Sequence, residues 1–215
     1  MIGSREDVTD LAPLLRRATA LDANSLVRLR SSGERLSALV WLPFGILAAR
    51  TIEMTSLGSG AGTGGDVCFR ASDLLAWIDD PAAPEPAARD ADWRGAVPPS
   101  TGWRRIDTVP DSEVRPIVRA GASTLQEAAA REGVPGAQPR AEVAEALLDA
   151  VVLTVEDGTR RPVEITLRTL SAVTRLGFLP QGSYVAVDVS GRWTRVAAAY
   201  GSVFHERAGL TLSLR

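Results

Sequence analysis

The chain has 215 residues, 45% of them hydrophobic and 23% charged, with a formal net charge of −2, which is ordinary globular composition and enough length for one large or two small domains. All 24 basic residues are arginine, so a pyridoxal Schiff base, a lysine nucleophile, a Ser–Lys dyad and a P-loop lysine are excluded. Cys68 is the single cysteine and His205 the single histidine, which excludes an intrachain disulfide and a zinc site built from several Cys or His ligands.

Acids and arginines are evenly spread, so no region has the basic surplus of a protein that tracks phosphates. The opening MIGSREDVTD lacks a basic stretch followed by an apolar one, and no apolar run reaches membrane-spanning length, so a cytoplasmic setting without membrane is expected. No metal and no cofactor is indicated.

In chain order, Leu11, Leu14, Leu15 and Ala18 fall on one helical face within residues 4–20. Val27 and Leu29 alternate with Arg28 and Arg30 as in a half-buried strand, and Ser31-Ser32-Gly33-Glu34 reads as a hairpin turn leading to a return strand over 35–42. Pro43 suits the first turn of a helix, so 43–51 reads as a short helix. Gly60, Gly62 and Gly65 formally match the dinucleotide fingerprint. A strand follows over 66–70 where that fingerprint needs a helix, so a surface loop is expected. Ser72 is expected to cap a short helix through Ile78, and PAAPEPAARD (81–90) is a Pro/Ala linker.

In DWRGAVPPSTGW (92–103), Trp93 and Trp103 flank two prolines. The stretch is either an aromatic binding surface or, the commoner case, a connection whose indoles anchor to the core. A strand is expected over 104–108, then a helix from Asp111 to about Ala120 that Gly121 breaks. A second helix starts at Ser123 and runs to 132, and a third spans 140–149. Strand, Asp157-Gly158 turn, strand and helix follow over 151–176, with Gly177 as the stop. Further strands are expected over 184–189, 193–199 and 210–214.

The stretch 26–51 and the stretch 151–176 have similar form. Their ungapped superposition matches Gly33 with Gly158, Arg35 with Arg160, Leu42 with Leu167 and Arg50 with Arg175. The expected fold is therefore α+β with two related lobes, each a helix, a β-hairpin and a short helix with added strands, as from an internal duplication. The lobes are residues 1–80 and 104–215, the latter with a helical insertion over 111–149; residues 81–103 form the linker and the Trp-containing connection.

Five segments, LPFGILAAR (42–50), VCFRASDLLAW (67–77), DWRGAVPPSTGW (92–103), AVTRLGFL (172–179) and AAYGSVF (198–204), resemble a group of uncharacterised actinobacterial proteins. The resemblance implies a soluble bacterial protein whose two halves belong together, and brings no activity, ligand or catalytic residue with it.

The leading functional expectation is a non-enzymatic module that binds a protein, a ligand or a second copy of itself. Its candidate binding residues are Trp93, Arg94 and Trp103, with the repeat-matched Arg50 and Arg175. One alternative is a winged-helix-like DNA-binding regulator, with helices at 123–134 and 140–149 and a wing at 151–166. The would-be recognition helix RAEVAEALLD carries three acids and one arginine, which base edges and phosphates both disfavour. A further alternative is an enzyme centred on His205 beside Glu206, although a loop histidine is the expectation there. Cys68 is expected to pack as a small core residue.

Overall fold

Period-two alternation builds the first half of the chain. The computed structural model describes residues 5–54, 65–130, 140–156, 158 and 162–207, and the chain forms two compact units, Met1–Pro98 and Pro99–Arg215. In the first, a helical turn α1 (Arg5–Val8) and a 3-10 turn lead into helix α2 (Ala12–Leu21). Strands β1 (Leu26–Ser32), β2 (Arg35–Trp41), β3 (Leu47–Glu53) and β4 (Asp66–Arg70) follow, and helix α3 (Ala71–Asp79) closes the series.

The strand order is β4-β1-β2-β3, and all three pairings are antiparallel. Val27 and Leu29 share a face with Val40, Ala38 and Phe69, and all five are buried, as are Leu14, Leu15 and Ala18 of α2 and Leu74 of α3. The opposite face presents Arg28 and Arg30.

Residues 43–51 are not a helix. Leu42 accepts a hydrogen bond from the Gly45 amide at 3.1 Å, and its own amide donates to the Ile46 carbonyl at 2.8 Å. Pro43 thus sits at the second position of a tight turn, with Gly45 at φ 75, and the apolar run continues as β3 against β2. Proline fits that turn position as well as a helix start; the unsatisfied ladder of β2 decides between them. Helix α3 also begins two residues earlier than expected, with Arg70 rather than Ser72 at the N-cap position. The Ser72 hydroxyl meets the Asp73 carboxylate at 3.2 Å, and no side chain caps the helix.

The second unit contains β5 (Arg104–Pro110), α4 (Asp111–Ala130), α5 (Arg140–Leu148), a separate hairpin of β6 (Val151–Val155) and β7 (Val163–Thr166), α6 (Leu167–Arg175), β8 (Tyr184–Ser190), β9 (Trp193–Ala198) and β10 (Gly201–Glu206). Here the order is β5-β8-β9-β10, again antiparallel. Thr166 caps α6 by accepting the Thr169 amide at 3.4 Å, and Gly177 follows it at φ 65, a left-handed stop that glycine supplies at little cost.

Gly121 does not break α4, which runs through it as one helix. A Cβ at this position would lie 2.4 Å from Leu167 Cδ2, so the glycine permits close approach of α4 to α6. Ser123 therefore lies mid-helix rather than starting a second one. The strand expected at 210–214, Gly133, Asp157 and the glycines at 60–64 fall outside the described residues.

The repeat takes a form different from the one expected. Leu42 sits in a turn and Leu167 starts a helix; Arg50 lies in β3 and Arg175 ends α6. The offset that matched them breaks after the hairpin. The units instead share a helix followed by a three-stranded meander, α2-β1-β2-β3 and α6-β8-β9-β10. Each meander's first strand pairs with a strand that runs straight into a helix, β4-α3 or β5-α4. Equivalent two-residue turns carry Gly33 at φ 58 and Gly191 at φ 54.

Candidate functional site

On the first unit's Arg28 face, the Arg28 guanidinium clasps the Asp66 carboxylate through Nε at 2.6 Å and Nη2 at 2.8 Å. The Trp93 ring lies over that guanidinium, with Arg28 Cζ 5.6 Å from the ring centroid, and its indole N–H donates to the Gly95 carbonyl at 3.2 Å. Only 9% of Trp93 is exposed. Arg94 is exposed and donates to the Ala91 carbonyl at 2.8 Å. Arg50 is half-buried and lies opposite Ala38, on the other face of the sheet from Arg28.

In the second unit, Asp188 of β8 is 2% exposed. It accepts from Arg105 Nε at 2.5 Å and from Arg195 Nε at 3.0 Å. Trp103 covers Arg195, whose Cζ is 4.5 Å from the ring centroid. The ring packs at 53° against Phe204 with centroids 5.5 Å apart, and its N–H donates to the Pro99 carbonyl at 3.0 Å. Each unit thus seats one indole of the 92–103 stretch on an arginine that is itself ion-paired. A guanidinium fixed by a carboxylate presents a flat cation to the ring. Asp188 and its arginines were missed by the sequence reading; the signal was an acid inside the apolar run VAVDV. Arg175 is exposed at the end of α6.

Cys68 is a buried free thiol on β4. Burial pushes its pKa up to about 11, against the smaller opposing pull of Arg28. The thiolate is the reactive form, so Cys68 in the native protein is expected to resist iodoacetamide at neutral pH and to react fully in denaturant. Rapid native labelling, followed by mass spectrometry, would contradict this.

His205 lies on β10 and is half-buried, not on an exposed loop. Glu206 is its strand neighbour, so their side chains point to opposite faces, and Glu206 pairs with Arg192 at 2.9 Å. His205 Nδ1 is buried without a hydrogen-bond partner. Burial lowers its pKa, the Arg168 charge lowers it further, and Asp149 and Glu206 oppose both. The unfolded chain therefore takes up this proton first as pH falls through the ordinary histidine value. Stability from this source is complete above that value and is lost on acidification toward the lower folded pKa. Melting temperature measured between about pH 5 and pH 8 should fall less steeply on the acid side in His205→Gln than in the wild type; identical slopes would contradict the shift.

An open groove of about 620 Å³ is lined by Asp111, Ser112, Arg115, Pro116 and Arg119 of α4 and, opposite them, by residues including Thr174 and Gln181. Asp111 accepts Arg115 Nε and the Gly182 amide, both at 3.0 Å, and these bonds hold its carboxyl below the usual range, Arg115 contributing most. Arg115 Nη2 donates to the Leu179 carbonyl at 2.7 Å. The wall is therefore tied to the turn after α6. Among the described residues no group of His, Cys, Asp and Glu is placed to hold a metal, and no helix is long and apolar enough to cross a membrane.

The model of a domain of unknown function (DUF8185) matches residues 98–210, more than half of the chain. The chain belongs to this family. A second domain of unknown function (DUF8010) matches residues 1–95. No curated protein matches.

Among solved structures, the chain is similar to the DNA polymerase III subunit beta of Pseudomonas aeruginosa, at 14% identity and TM-score 0.54, covering 97% of this chain and 64% of that one. The Bacillus subtilis DNA polymerase sliding clamp gives 12% and 0.58, with 95% and 63% covered. The Caulobacter crescentus sliding clamp gives 14% and 0.54, with 97% and 65% covered. The chain therefore has a fold like that of sliding clamps and spans a little under two thirds of their length.

Proposed function

We propose that the chain is a non-enzymatic, clamp-like binding module that engages a protein partner. The observation that carries this reading is the open groove between α4 and α6, set on a fold that sliding clamps share. The groove's wall is fixed by the Asp111 bonds, and its rim residues Ser112, Pro116, Arg119 and Gln181 are exposed. A rigid, accessible surface of this kind suits recognition.

Charge favours a protein over a polyanion. The helices of the first unit carry Arg5, Arg16 and Arg17 against Glu6, Asp7, Asp10, Asp73 and Asp79. In the second, Glu113, Glu127, Glu142 and Glu145 offset the arginines. Among the described residues, these helices therefore mix both signs rather than forming a basic face. The winged-helix reading has less support, because Ser123 lies inside α4 and Glu145 is spent on Arg168 at 2.7 Å. The enzyme reading has less again, given a suppressed Cys68 thiol and a His205 turned away from Glu206.

Of the sequence-derived binding candidates, Arg94 and Arg175 keep exposed side chains, whereas Trp93 is occupied as an anchor. The cytoplasm is the proposed compartment, and a second copy of the chain is an admissible partner. The test is affinity purification from native lysate with and without nuclease. A defined protein that survives nuclease supports the reading; loss of all retained material on nuclease treatment replaces it with nucleic-acid binding.

A further inference from the structure

Within the α4–α6 groove the charges are unequally spent. Arg115 is committed to Asp111 and to the Leu179 carbonyl. One helical turn further on, Arg119 is exposed and makes no ion pair or hydrogen bond among the described residues. Between them lies Pro116, inside the helix. Proline has no N–H to give to the carbonyl four residues back, so the carbonyl of Ser112, itself a lining residue, lacks its helical donor. The exposed Gln181 stands among the lining residues, and Pro116 and Val118 supply apolar surface.

We infer that this groove holds an extended, mildly acidic segment of a partner protein, with one carboxylate on Arg119, a backbone N–H on the Ser112 carbonyl and apolar side chains along Pro116 and Val118. This rests on the binding-module reading above. A groove this open leaves much of a small ligand in water, whereas a chain segment is anchored on both sides. A nucleic acid fits less well, because the groove lining offers one unspent cation and the same helix also carries Asp111 and Glu113. A carboxylate needs only one guanidinium.

The probe is a phage-displayed library of random octapeptides selected on the immobilised full chain. The selected pool is expected to carry Asp or Glu at one fixed position beside apolar residues. Its binding should weaken about tenfold in Arg119→Glu and remain unchanged in Arg17→Glu, a charge reversal on the other unit. Arg119 is a surface residue, and unchanged circular dichroism and melting temperature would show that the variant folds. A pool without acidic preference, or one insensitive to Arg119→Glu, overturns the groove assignment and leaves the binding module standing. Failure to select any pool overturns the groove assignment as well, while the binding-module reading is decided by the lysate purification. Binding of a duplex or single-stranded oligonucleotide that depends on Arg119 overturns the peptide assignment in favour of nucleic acid.

Discussion

Gly201→Ala is expected to destabilise the protein by about 2–3 kcal/mol, the upper part of the usual cost of overpacking a core. A Cβ on Gly201 would meet Phe178 Cζ at 2.6 Å and Cε1 and Cε2 at 2.7 Å, well inside any real contact distance. Neither partner has room to retreat. Phe178 is 1% exposed, and its carbonyl is held by the Tyr200 amide at 3.1 Å. Gly201 is fixed from the other side by its pairing with Ala198. The effect is steric, because Gly201 is not among the residues at positive φ. Denaturant titration should show an earlier midpoint with little change in slope. Adding Phe178→Leu, which shortens the ring to a branched chain, should recover part of the loss. An unchanged midpoint in the single variant would refute the argument.

Asp188→Asn is expected to cost about 2 kcal/mol, less than the 3–5 typical when a fully buried pair loses one partner. The carboxylate is buried, but its partners are not equally so: the Arg105 side chain is 52% exposed and that of Arg195 25%. Both guanidiniums can regain water once the charge is gone, which limits the penalty. The amide also cannot accept from two arginines at once with both oxygens. Arg105→Ala should therefore cost much less than Asp188→Asn, since Arg195 still neutralises the carboxylate. Asp188→Asn should additionally raise the solvent accessibility of Trp103, because the ring sits on an arginine no longer held in place. Fluorescence quenching by acrylamide, read in a variant lacking the other four tryptophans, would report this. Equal losses in the Asp188 and Arg105 variants would contradict the unequal roles assigned to them.

Much of the second unit was legible because its signals are local. Glycine turns at Gly177 and Gly191, the alternation of Val185 and Val187, and the helical spacing of Leu170 and Val173 need no knowledge of distant partners. The failures share a cause. Pro43 and Gly121 each have two meanings, and long-range contacts choose between them: the β2 ladder for the first, Leu167 for the second. Strand β10 was misread as a loop because Gly201, its first residue, looks like punctuation yet exists to admit Phe178. At the level of the site, the indoles of Trp93 and Trp103 were visible as a pair, but not the arginines beneath them, which come from strands far away in the chain. The groove was illegible for a related reason. Ser112, Arg115, Pro116 and Arg119 fall within the expected helix 111–120, but the residues that line the groove with them, Thr174, Gln181 and Gly182, come from α6 and the turn after it, far away in the chain.

The two units build the same sheet in opposite order along the chain, and this sets an order of events during synthesis. The first unit makes its meander before β4, so its edge strand finds β1 already present when Arg70 has been added. The second unit makes β5 and α4 first, and the partner of β5 is not complete until Ser190. A nascent chain therefore carries an unpaired strand and a helix with no sheet to cover through the synthesis of some of its later residues. Contacts so distant in sequence close slowly, so the second unit is expected to fold more slowly than the first.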